Sequence, residues 1–590
     1  MKRYRYIIAA SVCLCAFALS ATAQNYNPTV VVTNKYKAAT ETAQKGEIEM
    51  AVPDSVRRFN MTFDYSVFDR PYRGAYEFSP YSVEMKPSFG NRKPETFYLN
   101  AGLGYTLHPE LDVVYSPVSN GRLSLDMYGS HRSYAGDYRK VGLDDRGLLS
   151  GLKEEGTRQY WKDWNYDMDN DAGISFRYDW DRVGLNADLA YNGLQQRDWL
   201  RRRSLDRGIA EIRVFSKDTV SGGVGFCTWL KYGFGHDRMI PKYASESFSV
   251  GENRFRAGVD LNVRMKKSGR FVLGMNADVA AYMSGLGHRA ALFEFVPRYV
   301  LSVRRWSFDL GLKADIPVKS KAAGAENGAR SQHVYPALRV SYDFRRIPLN
   351  IWLGVDGGEY MNSYTSLVGD YRHYGICSAA LSSHATLGNT VERVKASFGL
   401  KGRIRSVFGY EAFVSYAERA TSVIESVRFA DLGFDGSLRR LPVYDLSFAS
   451  SGLLAAGLDA RYSDDWGRVS LGLRYNGLFV RDEALEYVAP ASLTGDVAVQ
   501  FNVIKRVFVG IGCEFSTIRR GRVLTAPDTM ADYRIPGFGE PYFSAEFQYS
   551  RQLSFWLHGS RLTGQTIQRT PLYAERGPEL TAGLRLSFGK

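Results

Sequence analysis

The amino-acid sequence predicts an all-β protein, a transmembrane antiparallel β-barrel of about 22 strands, and three observations carry that expectation. From Phe97 onward, segments of eight to twelve residues alternate apolar or aromatic side chains with small or polar ones, the period-two signature of strands with unlike faces. Short turns and long polar loops alternate between these segments, as the two ends of an outer-membrane barrel require. The 590 residues include 38 Tyr, 33 Phe, 9 Trp and 57 Gly, although only 45% of the chain is hydrophobic. Rings in that number must be sheltered from water, which excludes disorder. A chain of this length is either several soluble domains or one wide barrel, and the periodicity selects the barrel.

The N-terminus sets the compartment. Lys2, Arg3 and Arg5 precede an apolar run from Ile7 to Leu19 and the small-x-small triplet Ala21-Thr22-Ala23. That is the pattern of a secretory signal peptide, residues 1–23. Cleavage lowers the net charge from +14 to +11 by removing those three cations, and leaves Cys227, Cys377 and Cys513. Three cysteines so far apart make neither a disulfide framework nor a metal site. No later uncharged apolar run is long enough for a spanning helix, since Ala290 to Val303 is broken by Glu294, Pro297 and Arg298. Residues 24–96 are expected to be a periplasmic or lumenal segment, and 97–590 the barrel.

Within the barrel, Val183, Leu185, Ala187, Leu189 and Tyr191 oppose Gly184, Asn186, Asp188 and Ala190. Phe255, Ala257, Val259, Leu261, Val263 and Met265 oppose a face bearing Arg256, Asp260 and Arg264, and Trp306, Phe308, Leu310 and Leu312 oppose one bearing Asp309, Lys313 and Asp315. With Asp459 and Arg461, these eight charged residues are assigned to the lumen, as ions of both signs in a water-filled interior or as a web that stiffens the wall. Tight turns are expected at Asp181-Arg182, Lys266 to Arg270, Arg304-Arg305, Arg345 to Ile347, Ser406, Asp464 to Gly467, Lys505 and Arg551. Long loops are expected at Ser133–Asp171, Gly235–Asn253, Val318–Gln332, Glu359–Arg393, Glu418–Ser451 and Ile518–Glu540. Strand starts fall near Ala172, Ile209, Arg254 and Leu453 among others, and the tally is 22. Aromatics near segment ends, such as Tyr178, Trp180 and Tyr462, suit the headgroup level.

The chain closes on Leu580, Ala582, Leu584, Leu586 and Phe588. That pattern resembles the assembly signal of Gram-negative outer-membrane proteins, with Gly589 and Lys590 as an extension beyond the ring. The signal peptide, the strand count and Gln24 after the cleavage site resemble the barrel of TonB-dependent receptors, in the style of Bacteroidota members. The resemblance spans about 97–590 and implies solute uptake across the outer membrane. It also implies a plug domain, for which residues 24–95 are too few. Thr29-Val30-Val31-Val32-Thr33 looks like a TonB box, a segment offered for strand pairing, or is a plain β-forming stretch. Asp64 to Ser82, with Tyr65, Phe68, Tyr72, Tyr76, Phe78 and Tyr81, is expected to tuck into the barrel as a partial stopper.

Catalytic templates are missing. No His-Glu-x-x-His, Gly-x-Ser-x-Gly or phosphate-binding loop occurs, so no enzyme and no cofactor is expected. Asp167, Asp169 and Asp171 alternate like the opening of a calcium loop, but Gly173 and Tyr178 stand where that loop needs other spacing and a Glu, and a solvated acidic approach to a strand fits better. Tyr160, Trp161, Trp164 and Tyr166 are expected in an extracellular loop, stacking on a sugar or partner, or packing the loop on itself. Expected partners are outer-membrane lipid and lipopolysaccharide, the barrel assembly machinery, and TonB or a surface lipoprotein, but no nucleic acid. Two functions stay open: selective permeation, or a non-transporting surface receptor or scaffold with a blocked lumen.

Overall fold

The computed structural model of the protein describes Glu95 to Gly589 apart from parts of its connecting loops, the longest being 137–164, 320–332 and 376–386. The signal peptide, the TonB-box-like Thr29–Thr33, the 64–82 segment, Tyr160, Trp161 and Trp164 lie outside the described residues.

In chain order the strands are β1 (Glu95–Tyr105), β2 (His108–Ser119), β3 (Leu123–Gly136), β4 (Asn165–Asp179), β5 (Val183–Arg197), β6 (Arg201–Ser216), β7 (Val224–Pro241), β8 (Phe248–Lys266) and β9 (Gly269–Ser284). They continue as β10 (Arg289–Val303), β11 (Trp306–Lys319), β12 (His333–Asp343) and β13 (Leu349–Tyr360), then a short helix α1 (Tyr364–Asp370), then β14 (Thr390–Ile404), β15 (Phe408–Phe434), β16 (Ser437–Asp464) and β17 (Gly467–Val480). The last group is β18 (Tyr487–Val488), β19 (Leu493–Ile504), β20 (Val507–Ser516), β21 (Arg519–Ala526), β22 (Thr529–Ile535), β23 (Phe538–Gln548), β24 (Leu553–Ser560) and β25 (Glu579–Gly589). Twenty-two of these form one antiparallel sheet, and β18, β21 and β22 form a separate small one. The large sheet closes where β1 pairs with β25, from Phe97 opposite Phe588 to Tyr105 opposite Leu580. Closure leaves no strand edge, the condition under which a sheet can cross lipid.

Side-chain direction follows the alternation. Leu103, Tyr105, Leu189, Tyr191, Phe255, Met265, Trp306, Leu310, Leu312 and Phe588 are exposed on the outer face. Such an apolar belt on a closed barrel is a lipid-facing surface, so the protein is an outer-membrane barrel. The opposite face carries polar groups that satisfy one another across strands. Trp556 Nε1 donates to Asn100 (2.7 Å), whose amide donates to Asp112 (3.1 Å), and Ser130 donates to the same carboxylate (2.8 Å). Aromatic pairs gather at one end: Tyr178 with Trp180, Trp306 with Tyr342, Tyr342 with Phe344, Phe408 with Tyr410, Tyr462 with Trp466, and Phe97 with Phe588. These rings adjoin the short turns and the two ends of the described barrel, which marks that end as periplasmic.

The strands that flank all eight tight turns expected from sequence meet at that end. The other end differs from expectation in four places, one being Ile518–Glu540, which is the paired β21–β22 hairpin of the small sheet rather than a polar loop. Gly235–Asn253 is mostly strand, because β7 and β8 extend to Pro241 and from Phe248. Glu418–Ser451 is no polar loop but the outer half of the β15–β16 hairpin, paired continuously from Ser422 opposite Ala449 to Phe434 opposite Ser437. At about 3.3 Å per residue, strands of 27 and 28 residues reach far beyond a bilayer that needs roughly ten. Ser133–Asp171 is strand at both ends, so Tyr166 lies in β4, opposite Ala135 and Arg197, rather than in a loop.

The two faces make opposite predictions for one substitution. Leu310→Arg, on the lipid face of β11, is expected to cost about 2–4 kcal/mol near mid-membrane, and Ser341→Arg, on the lumen face of β12, less than about 1 kcal/mol. Urea unfolding of both variants in lipid vesicles, followed by tryptophan fluorescence, checks the contrast.

Candidate functional site

Among the described residues, a buried core forms where residues 361–375, following β13, fold back into the barrel. Ser363 caps α1: its hydroxyl accepts from the Ser366 amide (3.2 Å), and Ser366 Oγ in turn accepts from the Ser363 amide (3.0 Å), a reciprocal box that starts a helix of only seven residues. Tyr364, Leu367 and Val368 are buried. They join one hydrophobic cluster with Leu194, Leu205, Met239, Val250 and Tyr282 of the wall and with Val427, Tyr444, Val488 and Ile535 of the outer hairpin and small sheet. A barrel whose lumen is otherwise polar thus has an apolar core at its outer end.

Polar and charged side chains from four strands fasten this segment. Arg203 of β6 and Asp237 of β7 form a wholly buried ion pair at 2.5 Å, and Asp237 also accepts from the Tyr364 hydroxyl at 2.6 Å. Arg203 Nη1 donates to the Arg372 carbonyl (2.9 Å) and Arg201 Nη2 to the His373 carbonyl (2.6 Å). On β8, Glu252 accepts from the Thr365 amide (2.9 Å) and hydroxyl (2.5 Å), while Arg254 donates to Ser363 Oγ (2.9 Å). Tyr282 of β9 accepts from the Tyr364 amide (3.3 Å). Burial and the neighbouring Asp237 carboxylate hold the Tyr364 phenol well above its ordinary value, so it stays a donor. Gly235 of β7 makes the approach possible, since a side chain there would run into Thr365.

The acidic residues of β4 complete the fastening. Arg372 bridges Asp167 and Asp169, the latter at 2.7 Å, and Asn192 donates to Asp169 (2.8 Å) and Asp171 (2.7 Å). A basic residue about two hundred positions away in the chain therefore occupies the acidic strip. His373 lies flat on Tyr573, with ring centroids 3.9 Å apart and planes 13° apart. Burial, with Arg201, Arg372 and Arg203 nearby, holds its imidazole well below the ordinary value of 6.5.

The charged residues assigned to the lumen from sequence find most of their partners across strands. Asp309 pairs with Arg298 of β10 (3.4 Å), Lys313 with Glu294 of β10 (2.6 Å) as well as Asp315 (3.8 Å), and Asp459 with Arg474 of β17 (2.6 Å). Cross-strand neighbours stand about 5 Å apart against roughly 6.6 Å along a strand, which is why sequence spacing misses these pairs. Arg256 stands opposite Lys231 and Asp278, Asp260 opposite Cys227 and Gly274, Arg264 opposite Arg270, and Arg461 opposite Gly409 and Ser470. Tyr166 does not join the 361–375 anchors.

No protein-family profile and no curated protein matches the chain. Solved structures do. A siderophore receptor, PirA, from Acinetobacter baumannii superposes with a TM-score of 0.58 at 12% identity, covering 83% of this chain and 80% of that one. The copper transporter OprC gives 0.60 at 11% identity, covering 85% and 81%. The FrpB iron transporter (F5-1 variant) from Neisseria meningitidis gives 0.63 at 10% identity, covering 85% and 83%. At such identities the likeness is one of fold, and the fold shared is the 22-stranded barrel that the sequence resembles.

Two outcomes follow. Arg203→Ala leaves Asp237 buried without its cation and is expected to cost the docked segment about 3–5 kcal/mol, read as faster protease cleavage within 361–375. The undocked His373 binds a proton below pH 6.5 while the docked one does not. Docking is therefore complete above pH 6.5 and weakens as pH falls below it, by up to about tenfold per unit. His373→Gln should flatten that part of the profile of cleavage rate against pH.

Proposed function

We propose that the protein passes or takes up small solutes across the outer membrane through the barrel lumen, with residues 361–375 closing the outer mouth until a solute or partner releases them. The single observation behind this reading is the contrast between a polar, mixed-charge lumen and one polar-fastened segment across its outer end. A wall built for packing alone has no need of so many lumenal ions, whose burial is costly unless all are paired. Selection would be by charge and constriction, with no covalent step. The likeness to a siderophore receptor and to iron and copper transporters supports uptake as the activity.

A Bacteroidota-type receptor lacking a plug domain belongs to the same proposal, with Thr29–Thr33 as the strand offered to TonB. In that arrangement the 361–375 segment does the closing that a plug does elsewhere. The depth of burial of Arg203, Asp237 and Tyr364 favours one rival: a permanently closed receptor or scaffold, serving a surface lipoprotein or other extracellular partner.

Planar-bilayer conductance separates the two. The mature protein should be nearly silent, and Gly235→Leu, which denies Thr365 its seat, should conduct without loss of the barrel. Silence of that variant as well as of a chain lacking Gln24 to Pro94 would favour the scaffold. Pull-down of Gln24–Tyr36 with a TonB C-terminal domain tests the coupling separately, and absence of binding would remove it.

A further inference from the structure

A second cluster in the lumen wall lies apart from the 361–375 anchors, beside the β1–β2 turn. His108 Nε2 is 2.7 Å from Glu110 Oε1 and 3.0 Å from Glu579 Oε1, and the three donor atoms lie within 4.8 Å of one another. The imidazole is almost wholly buried, Glu579 nearly so, and Glu110 opens toward the lumen. One ring nitrogen can carry only one proton, so Nε2 cannot point a hydrogen squarely at two carboxylates. We infer that His108, Glu110 and Glu579 form a binding site for one divalent transition-metal ion, of the zinc or ferrous class, on the lumen side of the barrel.

Several features of the surroundings support this. Adjacent ligands on a six-coordinate ion with bonds of about 2.0–2.1 Å stand about 3.0 Å apart, close to the two spacings found. An imidazole with two carboxylates suits zinc or ferrous iron, and no thiolate or thioether is among the donors, which disfavours Cu(I). The side chains behind Glu579 set its orientation: Arg561 takes its Oε2, leaving Oε1 toward His108, and Arg561 Nε is held in turn by Glu575 at 3.2 Å. Arg569 binds Glu575 (2.5 Å) and Glu514. Glu110 stands opposite Arg132 of β3, whose guanidinium lies 3.9 Å from Asp112. Gly104 stands opposite both His108 and Thr581, and a side chain there would run into both. His558, opposite Thr581 on the next strand, brings a second imidazole into the same row. The site stands whether or not the lumen conducts.

The test uses the full mature protein in detergent, stripped with chelator and titrated with zinc chloride by calorimetry and with cobalt chloride by visible absorption. One ion per chain is expected, with affinity falling at least about tenfold in both His108→Gln and Glu110→Gln and unchanged in His131→Gln. Glu110 is the most open of the three, so its Gln variant should keep the heat-modifiable gel mobility of a folded barrel, which separates loss of the site from loss of the fold. Failure of the wild type to bind either ion would overturn the inference, as would wild-type affinity in the His108 and Glu110 variants.

Discussion

A backbone amide or carbonyl in lipid has no water to turn to, and the rest of this structure depends on the pairing of β1 with β25 that meets this demand. Once the sheet is closed, each strand has a face toward lipid and a face toward the lumen, and the period-two sequence pattern becomes a three-dimensional partition. Apolar rings and aliphatic chains turn outward. Serine, asparagine and the ions turn inward, where they hydrogen-bond from strand to strand.

The interior then has to solve a second problem, because a barrel this wide cannot be filled by its own wall side chains. This chain fills its outer end with 361–375. The solution combines two kinds of contact with different reach. Apolar packing of Tyr364, Leu367 and Val368 is indifferent to direction. The Arg203–Asp237–Tyr364 set and the Arg372 bridges to β4 are directional, and they fix which way the segment lies.

The barrel was largely legible in the sequence. All 22 strands can be matched to a starting point read from alternation, with the largest offsets, about six to sixteen residues, at β4, β6, β8 and β16. Those offsets share a cause. Above the membrane the outer face no longer meets lipid, and the alternation that reveals a strand fades, as along Arg201 to Asp206 or Ser437 to Asp445. The 361–375 site was not legible. Its helix is short, and its partners sit on strands up to about two hundred residues away. The alternating Asp167, Asp169 and Asp171 read as a solvated acidic approach to a strand, and sequence spacing could not show that Arg372 takes Asp167 and Asp169. His108 and Glu579 likewise come together only because the barrel closes, since 471 positions (579 − 108) separate them in the chain.

The anchors of 361–375 are spread over β4, β6, β7, β8 and β9, and they share partners: Arg203 holds both Asp237 and the Arg372 carbonyl, while Asp237 holds both Arg203 and Tyr364. Loss of one contact therefore strips its neighbours of their partners in a low-dielectric setting, and a half-released segment is less favourable than either extreme. Were the segment released as proposed, such coupling would make its release all-or-none, so that a graded signal at the cell surface would be converted into a threshold response.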